Sequence, residues 1–177
     1  MTRFVALLGS INVGGNRLKM TDLRDAFERA GLANVATVTA SGNVLFDDDG
    51  SSDTEARLAA LLEDGFSIDS FAAVRSTEQL KAALDENPFV DSGEAKLVHT
   101  MFLERQPDAH AFAQLEADHA GRGPEKLAPG AKALHIDYVD GVGNSKLTKQ
   151  FIERRLGCRG TARNVTSIRR IMEKMED

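Results

Sequence analysis

The sequence predicts an α+β protein made of two ferredoxin-like plaits, each with the element order β-α-β-β-α-β, plus a connecting helix and a C-terminal helix. Two observations carry that expectation. Short β-branched or apolar runs alternate with helix-period stripes in that order twice, and the turn-rich stretch Asp91-Ser92-Gly93-Glu94 falls between the two series. The expected divisions are an N-terminal plait over 1–75, a connecting helix and linker over 76–95, and a C-terminal plait-like half with its terminal helix over 96–177.

In the first half, Phe4-Val5-Ala6-Leu7-Leu8 is an unbroken apolar run, as in a strand covered on both faces. Leu23, Ala26, Phe27 and Ala30 recur at helical spacing, with Thr21 as the expected cap and Gly31 as the stop. Val35 to Thr39 and Val44 to Phe46 flank Ala40-Ser41-Gly42-Asn43, a hairpin pattern. Ser52-Asp53-Thr54-Glu55 is a capping box, so a second helix is expected there, buried through Leu58, Leu61 and Leu62 and ended by Gly65. Phe66 to Val74 then reads as the fourth strand, and Ser76 to Glu86 as the connecting helix closed by Asn87-Pro88.

The second half repeats the scheme. Leu97 to Leu103 is an almost continuously apolar strand, and Gln106-Pro107 opens a helix that buries Phe112 and Leu115. Glu125 to Leu127 and Lys132 to Tyr138 flank an expected Pro129-Gly130 turn. Leu147, Phe151 and Leu156 mark a helix stopped by Gly157, Thr161-Ala162-Arg163 is extended, and Asn164 caps a last helix with Ile168, Ile171 and Met175 inward. The repetition is one of element order, with no residue-by-residue identity.

Composition bounds the function. The chain has 177 residues, a formal net charge of −5 and one cysteine, Cys158, so an intrachain disulfide is impossible and a cysteine-based zinc site implausible. No apolar run approaches the roughly 18–20 residues that span a bilayer, and the opening run is too short for a signal-peptide core. A reduced cytoplasmic setting with no membrane partner is the expectation. The charge is uneven: from Asn144 onward nine basic residues meet four acidic ones, a net of +5, whereas the preceding 143 residues carry −10. That asymmetry predicts a positive face for an anionic partner, although two amphipathic helices with solvated arginines give the same count.

Three loops and one extended stretch carry the candidate ligand-binding residues. Asn12, Gly14, Gly15 and Asn16 follow the first strand, where adjacent glycines let backbone N–H groups approach an anion; the dinucleotide Gly-x-Gly-x-x-Gly spacing is absent. Ser41, Gly42 and Asn43 lie in the first hairpin. Ser145 and Lys146 stand at a helix start without the spacing of a P-loop. Thr161, Arg163 and Asn164 place a guanidinium before another helix. Each of these loops is also readable as plain turn chemistry.

No catalytic set assembles from motifs. The four histidines lack metal-ligand spacing, and the acidic run from Asp47 reaches Leu58 where an EF-hand needs its bidentate glutamate. No Gly-x-Ser-x-Gly elbow exists, and a lone cysteine at a helix end reads as a passive small residue. Catalytic residues and cofactor stay unassigned.

Ile-Asn-Val-Gly-Gly-Asn at 11–16, Ser-Gly-Asn-Val at 41–44, Asn-Pro-Phe at 87–89, Ser-Lys-Leu-Thr at 145–148 and Thr-Ala-Arg-Asn at 161–164 together resemble the domain of unknown function 1697 family over nearly the whole chain. The resemblance implies a cytoplasmic bacterial protein of two plait-like subdomains and implies no reaction. The chain departs from the family pattern at Gly9-Ser10, where Arg-Gly is usual, at Val38-Thr39-Ala40, where Tyr-x-Gln is usual, and at Val165, where an aromatic is common. These departures shift more of any anion recognition onto Lys146 and Arg163.

The leading functional expectation is a module that binds a phosphate-bearing ligand, a nucleotide or nucleic acid. With one Tyr and no Trp, stacking recognition of bases is disfavoured. The alternatives are a small-molecule enzyme acting on a phosphorylated or carboxylated substrate, with Ser41, Ser145 or Thr161 as hydroxyl participants but no evident general base, and a structural or protein-interaction domain.

Overall fold

The computed structural model describes residues 1–9, 18–38 and 42–177. Along the chain it forms β1 (Thr2–Leu8), α1 (Met20–Arg29), β2 (Ala33–Val38), β3 (Asn43–Asp48), α2 (Thr54–Phe66), β4 (Ala72–Ser76) and α3 (Thr77–Glu86). Then follow β5 (Val98–Leu103), α4 (Ala109–His119), β6 (Lys126–Gly130), β7 (Ala133–Asp137), α5 (Lys149–Leu156), β8 (Gly160–Asn164) and α6 (Val165–Glu176). The strands make two four-stranded antiparallel sheets, ordered β2-β3-β1-β4 and β6-β7-β5-β8. In both, the first strand of the series pairs with the third and the fourth, which is the plait order that two β-α-β units impose. By contacts the chain divides into one unit of Met1–Leu80 with Arg170–Asp177 and a second of Lys81–Arg169. Among the described residues no helix is long and apolar enough to cross a membrane.

In the first unit, Ala6, Leu8, Val44 and Phe46 meet Leu23 and Phe27 of α1 and Leu58 and Leu62 of α2. The other residues of β1 are buried as well, Val5 and Leu7 at 0% exposure, which explains why this strand reads as a continuous apolar run. In the second unit, Met101, Leu103, Leu134 and Ile136 pack beneath Phe112 and Leu115 of α4 and Phe151, Ile152 and Leu156 of α5.

Several local expectations change for tertiary reasons. Gly65 does not end α2; Ser67 does, in the left-handed region at φ 55°, because Ile68 turns into the core and closes a backbone bond to Leu62 O. The fourth strand therefore begins only at Ala72. The Glu55 expected in a capping box is drawn across the fold instead: its Oε1 accepts from Val74 N at 2.9 Å and Arg75 Nη1 at 3.2 Å. Thr21 lies inside α1 rather than capping it, with Lys19 at the cap and Leu18 and Met20 packed on the core. Asp108, one residue past Pro107, caps α4 by accepting from Ala111 N at 2.8 Å. Pro129 and Gly130 belong to edge strand β6, and the turn is Ala131-Lys132. An edge strand tolerates proline because the missing N–H costs no ladder bond there. The turn's donors are taken from a distance, Ala131 N by Glu86 at 3.1 Å and Lys132 N by Gln106 Oε1 at 2.6 Å.

The register exposes a correspondence that element order alone hides. Arg75 lies opposite Val5 in β4–β1, and Arg163 lies opposite Thr100 in β8–β5, the same lattice point of each sheet. Each arginine is followed by the residue that starts the next helix. Ser76 Oγ accepts from Gln79 N at 3.2 Å, and Asn164 Oδ1 accepts from Ser167 N at 2.8 Å.

Two measurements follow. Gly157 ends α5 at φ 75°, with no atom within 4 Å of an added Cβ, so Gly157→Ala meets only backbone strain. It should cost about 1 kcal/mol in urea unfolding, while Gly143→Ala, at ordinary φ and equally open, leaves the midpoint unchanged. His99 stacks edge-on against Tyr138 at 4.9 Å, and burial pushes its imidazole below the ordinary value, the bond to Leu97 O acting the other way. Because the unfolded chain binds that proton more readily, its contribution is complete above about pH 6.5 and is lost as pH falls through the folded value. Urea midpoints measured from pH 7.5 downward should therefore fall less steeply for His99→Phe than for the wild type.

Candidate functional site

Asn12, Gly14, Gly15, Asn16 and Ser41 lie outside the described residues, as do the departures at Ser10, Thr39 and Ala40. Their neighbours in the first hairpin serve the sheet. Gly42, at φ 84°, offers its carbonyl to Leu8 N at 2.8 Å, and Asn43, 1% exposed, donates from Nδ2 to Val38 O at 3.1 Å.

The second unit holds the rest. Asn164 is the cap of α6. Ser145 Oγ accepts from Leu147 N at 3.0 Å and shapes the turn that delivers Thr148, whose hydroxyl caps α5. Lys146 is exposed on that turn. Arg163 and Thr161 share one face of β8, with Arg163 Nη1 donating to Thr161 Oγ1 at 2.6 Å and to Ala162 O at 3.0 Å. Burial at 8% exposure pulls the Arg163 guanidinium down to about 10. Arg75, its counterpart, is also lowered by burial, but Glu55 opposes that shift.

Lys146 stands on the turn before α5 and Arg163 in β8. Cross-strand partners share a face, so Arg163 lies on the face of Thr100 and His135, opposite the side on which Met101 and Leu103 meet α4 and α5. Lys146 adjoins Leu147, which is packed into the core beneath α4 and α5.

A different group of cations shares a cleft. Arg105 beyond β5, Arg154 of α5 and Arg159 before β8 border a space of about 350 Å³, together with Glu104, Glu153 and Cys158. Both carboxylates are engaged. Glu104 accepts from Arg159 Nη2 at 2.9 Å, and this bond holds its carboxyl below the usual range. Glu153 Oε2 accepts from Gly160 N at 2.9 Å and lies 3.6 Å from Lys149 Nζ. Arg105 donates to Gly157 O. Arg154 is exposed. Arg159 is thus paired with Glu104, so an anion in the cleft would meet the exposed Arg154 together with the remaining donors of Arg105 and Arg159. Cys158 contributes no nucleophile: it is 8% exposed, burial pushes its thiol up, and Sγ donates to Arg105 O at 3.7 Å.

Arg154 and Arg159 belong to the basic third that the charge count singles out. Arg105 carried no local signal, because it joins them only through the β5–β8 pairing, whose last rung is Leu103↔Gly160. Among the described residues no group of three histidine, cysteine or acidic side chains is placed to hold a metal ion.

The comparisons with known proteins bear on fold and family. No curated protein matches the chain. A solved structure, that of the conserved bacterial protein SP0830 from Streptococcus pneumoniae, is similar at a TM-score of 0.73 and 22% sequence identity, over 100% of this chain and 99% of that one. At that identity the likeness is one of fold. A protein family of unknown function matches residues 1–135, so that the motifs at 145–148 and 161–164 lie beyond the matched segment. With the match extending over well more than half its length, the chain belongs to the family described as protein of unknown function (DUF1697).

Proposed function

We propose that the protein binds a phosphate-bearing ligand, a nucleotide or nucleic acid, through the arginine-bordered cleft of its second unit. One observation supports this reading above the others: Arg105, Arg154 and Arg159 come from three separate elements to one cleft. Guanidinium groups suit phosphate because their planar fork donates two parallel hydrogen bonds to its oxygens. Of the expected hydroxyl participants, Ser41 lies outside the described residues and the other two accept local hydrogen bonds. Ser145 Oγ is bonded within its own turn and Thr161 Oγ1 accepts from Arg163.

A thermal-shift series with inorganic phosphate, nucleoside phosphates and a short oligonucleotide at low salt checks the proposal, since a ligand selective for the native state raises Tm. At least one phosphate-bearing compound should stabilise the wild type, and Arg154→Ala should weaken its binding about fivefold, the loss of roughly 1 kcal/mol expected for an exposed charged hydrogen bond. If the oligonucleotide is the ligand, log affinity should fall linearly with log salt, with a slope near −2 to −3 for about three phosphate contacts. The proposal fails if no phosphate-bearing compound shifts Tm, or if Arg105→Ala/Arg154→Ala binds as the wild type does.

A further inference from the structure

A second cleft lies elsewhere in the second unit, with the opposite charge character. It measures about 460 Å³, and its walls come from the end of α3, the start of α4 and the last residues of β6. Pro107, Phe112 and Pro129 make apolar wall, Glu86 and Glu116 supply two carboxylates, and neither lysine nor arginine lines it. Pockets of this size and mixture hold small organic molecules, with the polar groups fixing orientation.

Glu86 is fixed to an unusual degree. Its Oε2 lies 2.7 Å from His135 Nε2, and its Oε1 accepts from Ala131 N at 3.1 Å. His135 is 0% exposed, and its Nδ1 lies 2.9 Å from Thr100 Oγ1, which in turn is 3.4 Å from Asn87 Nδ2. One assignment satisfies the whole series: Asn87 donates to Thr100, the Thr100 hydroxyl to His135 Nδ1, and His135 Nε2–H to Glu86. Every donor in the buried relay then points toward the carboxylate and fixes its position. Gly130 completes the arrangement, since a Cβ there would stand 2.5 Å from Glu86 Oε2 and 2.7 Å from His135 Nε2. Only a glycine lets the backbone lie against that bond.

The outer part of Glu86 stays accessible, its side chain 38% exposed. Gln106, across the cleft, is held by Lys132 N on its Oε1 at 2.6 Å and donates from Nε2 to Pro107 O at 3.1 Å. The walls are thus set before any guest arrives, which lowers the ordering cost of binding. We propose that this cleft binds a small organic cation, a primary ammonium or amidinium on a short apolar stem, with Glu86 as the fixed counter-ion and Glu116 as a second carboxylate at the rim. The site is separate from the arginine-bordered cleft, and the proposal stands whether or not that cleft takes a phosphate.

The test uses the full chain labelled with 15N, titrated with 2-phenylethylammonium and benzamidine, with 2-phenylethanol and phenylacetate as neutral and anionic counterparts. Binding of at least one cation should move the Ala131 and Gly130 amide resonances. 2-Phenylethanol should bind at least tenfold more weakly, and phenylacetate not at all. Glu86→Gln should lower cation affinity at least tenfold and Glu116→Gln about threefold. Glu116 is exposed on α4, so its variant decides the matter should Glu86→Gln not fold. The proposal is overturned if neither cation binds at millimolar concentration, if the alcohol binds as tightly as the ammonium, or if affinity is unchanged in the folded glutamine variants.

Discussion

Each unit depends on one strand that is paired along both edges and buried on both faces, β1 in the first and β5 in the second. Such a strand has no route to water for its peptide groups, so every N–H and C=O must find its partner in the two flanking strands. Those flanking strands lie far away in sequence, and the helices between them are held where the pairing requires. The consequence differs between the units. In β1 the positions facing away from α1 and α2 are filled by Val5 and Leu7, whereas β5 has Thr100 and Phe102 there. A hydroxyl at 0% exposure needs bonds, and Thr100 obtains them from His135 and Asn87, which is why a polar relay exists in one sheet and not at the corresponding point of the other.

The matched arginines show the same scaffold burying a guanidinium at the same place twice. Arg75 and Arg163 occupy one lattice point, directly before a capped helix. Burying a guanidinium is costly wherever it occurs, and the first unit offsets that with a carboxylate from α2. In the second unit Arg163 donates to a hydroxyl and a carbonyl, and burial takes its guanidinium down to about 10.

In the second unit Arg105, Arg154 and Arg159 gather where β5, α5 and β8 meet, and the acidic cleft lies beside the β6–β7 hairpin. Neither grouping follows from neighbours in sequence. Arg105 and Arg159 come together because Leu103 pairs with Gly160, and Glu86 reaches His135 because the end of α3 lies against the hairpin turn.

What the amino-acid order determined by itself was the number, type and succession of elements. Helical spacing of Leu23, Ala26 and Phe27, the apolar run of β1 and the nearly continuous one of β5, Gly157 beyond α5 and Asn164 before α6 are local facts, readable because each depends on residues a few positions apart. Where a boundary hung on a distant partner, local reading failed: Glu55 served Val74 and Arg75 rather than its own helix end, Ile68 carried α2 past Gly65, and Glu86 and Gln106 held the turn one step beyond Pro129-Gly130. The candidate cations were legible as a basic excess but not as a site. A charge count has no direction, and only the pairing of strands brings distant residues together, so Arg105 met Arg154 and Arg159 at one cleft.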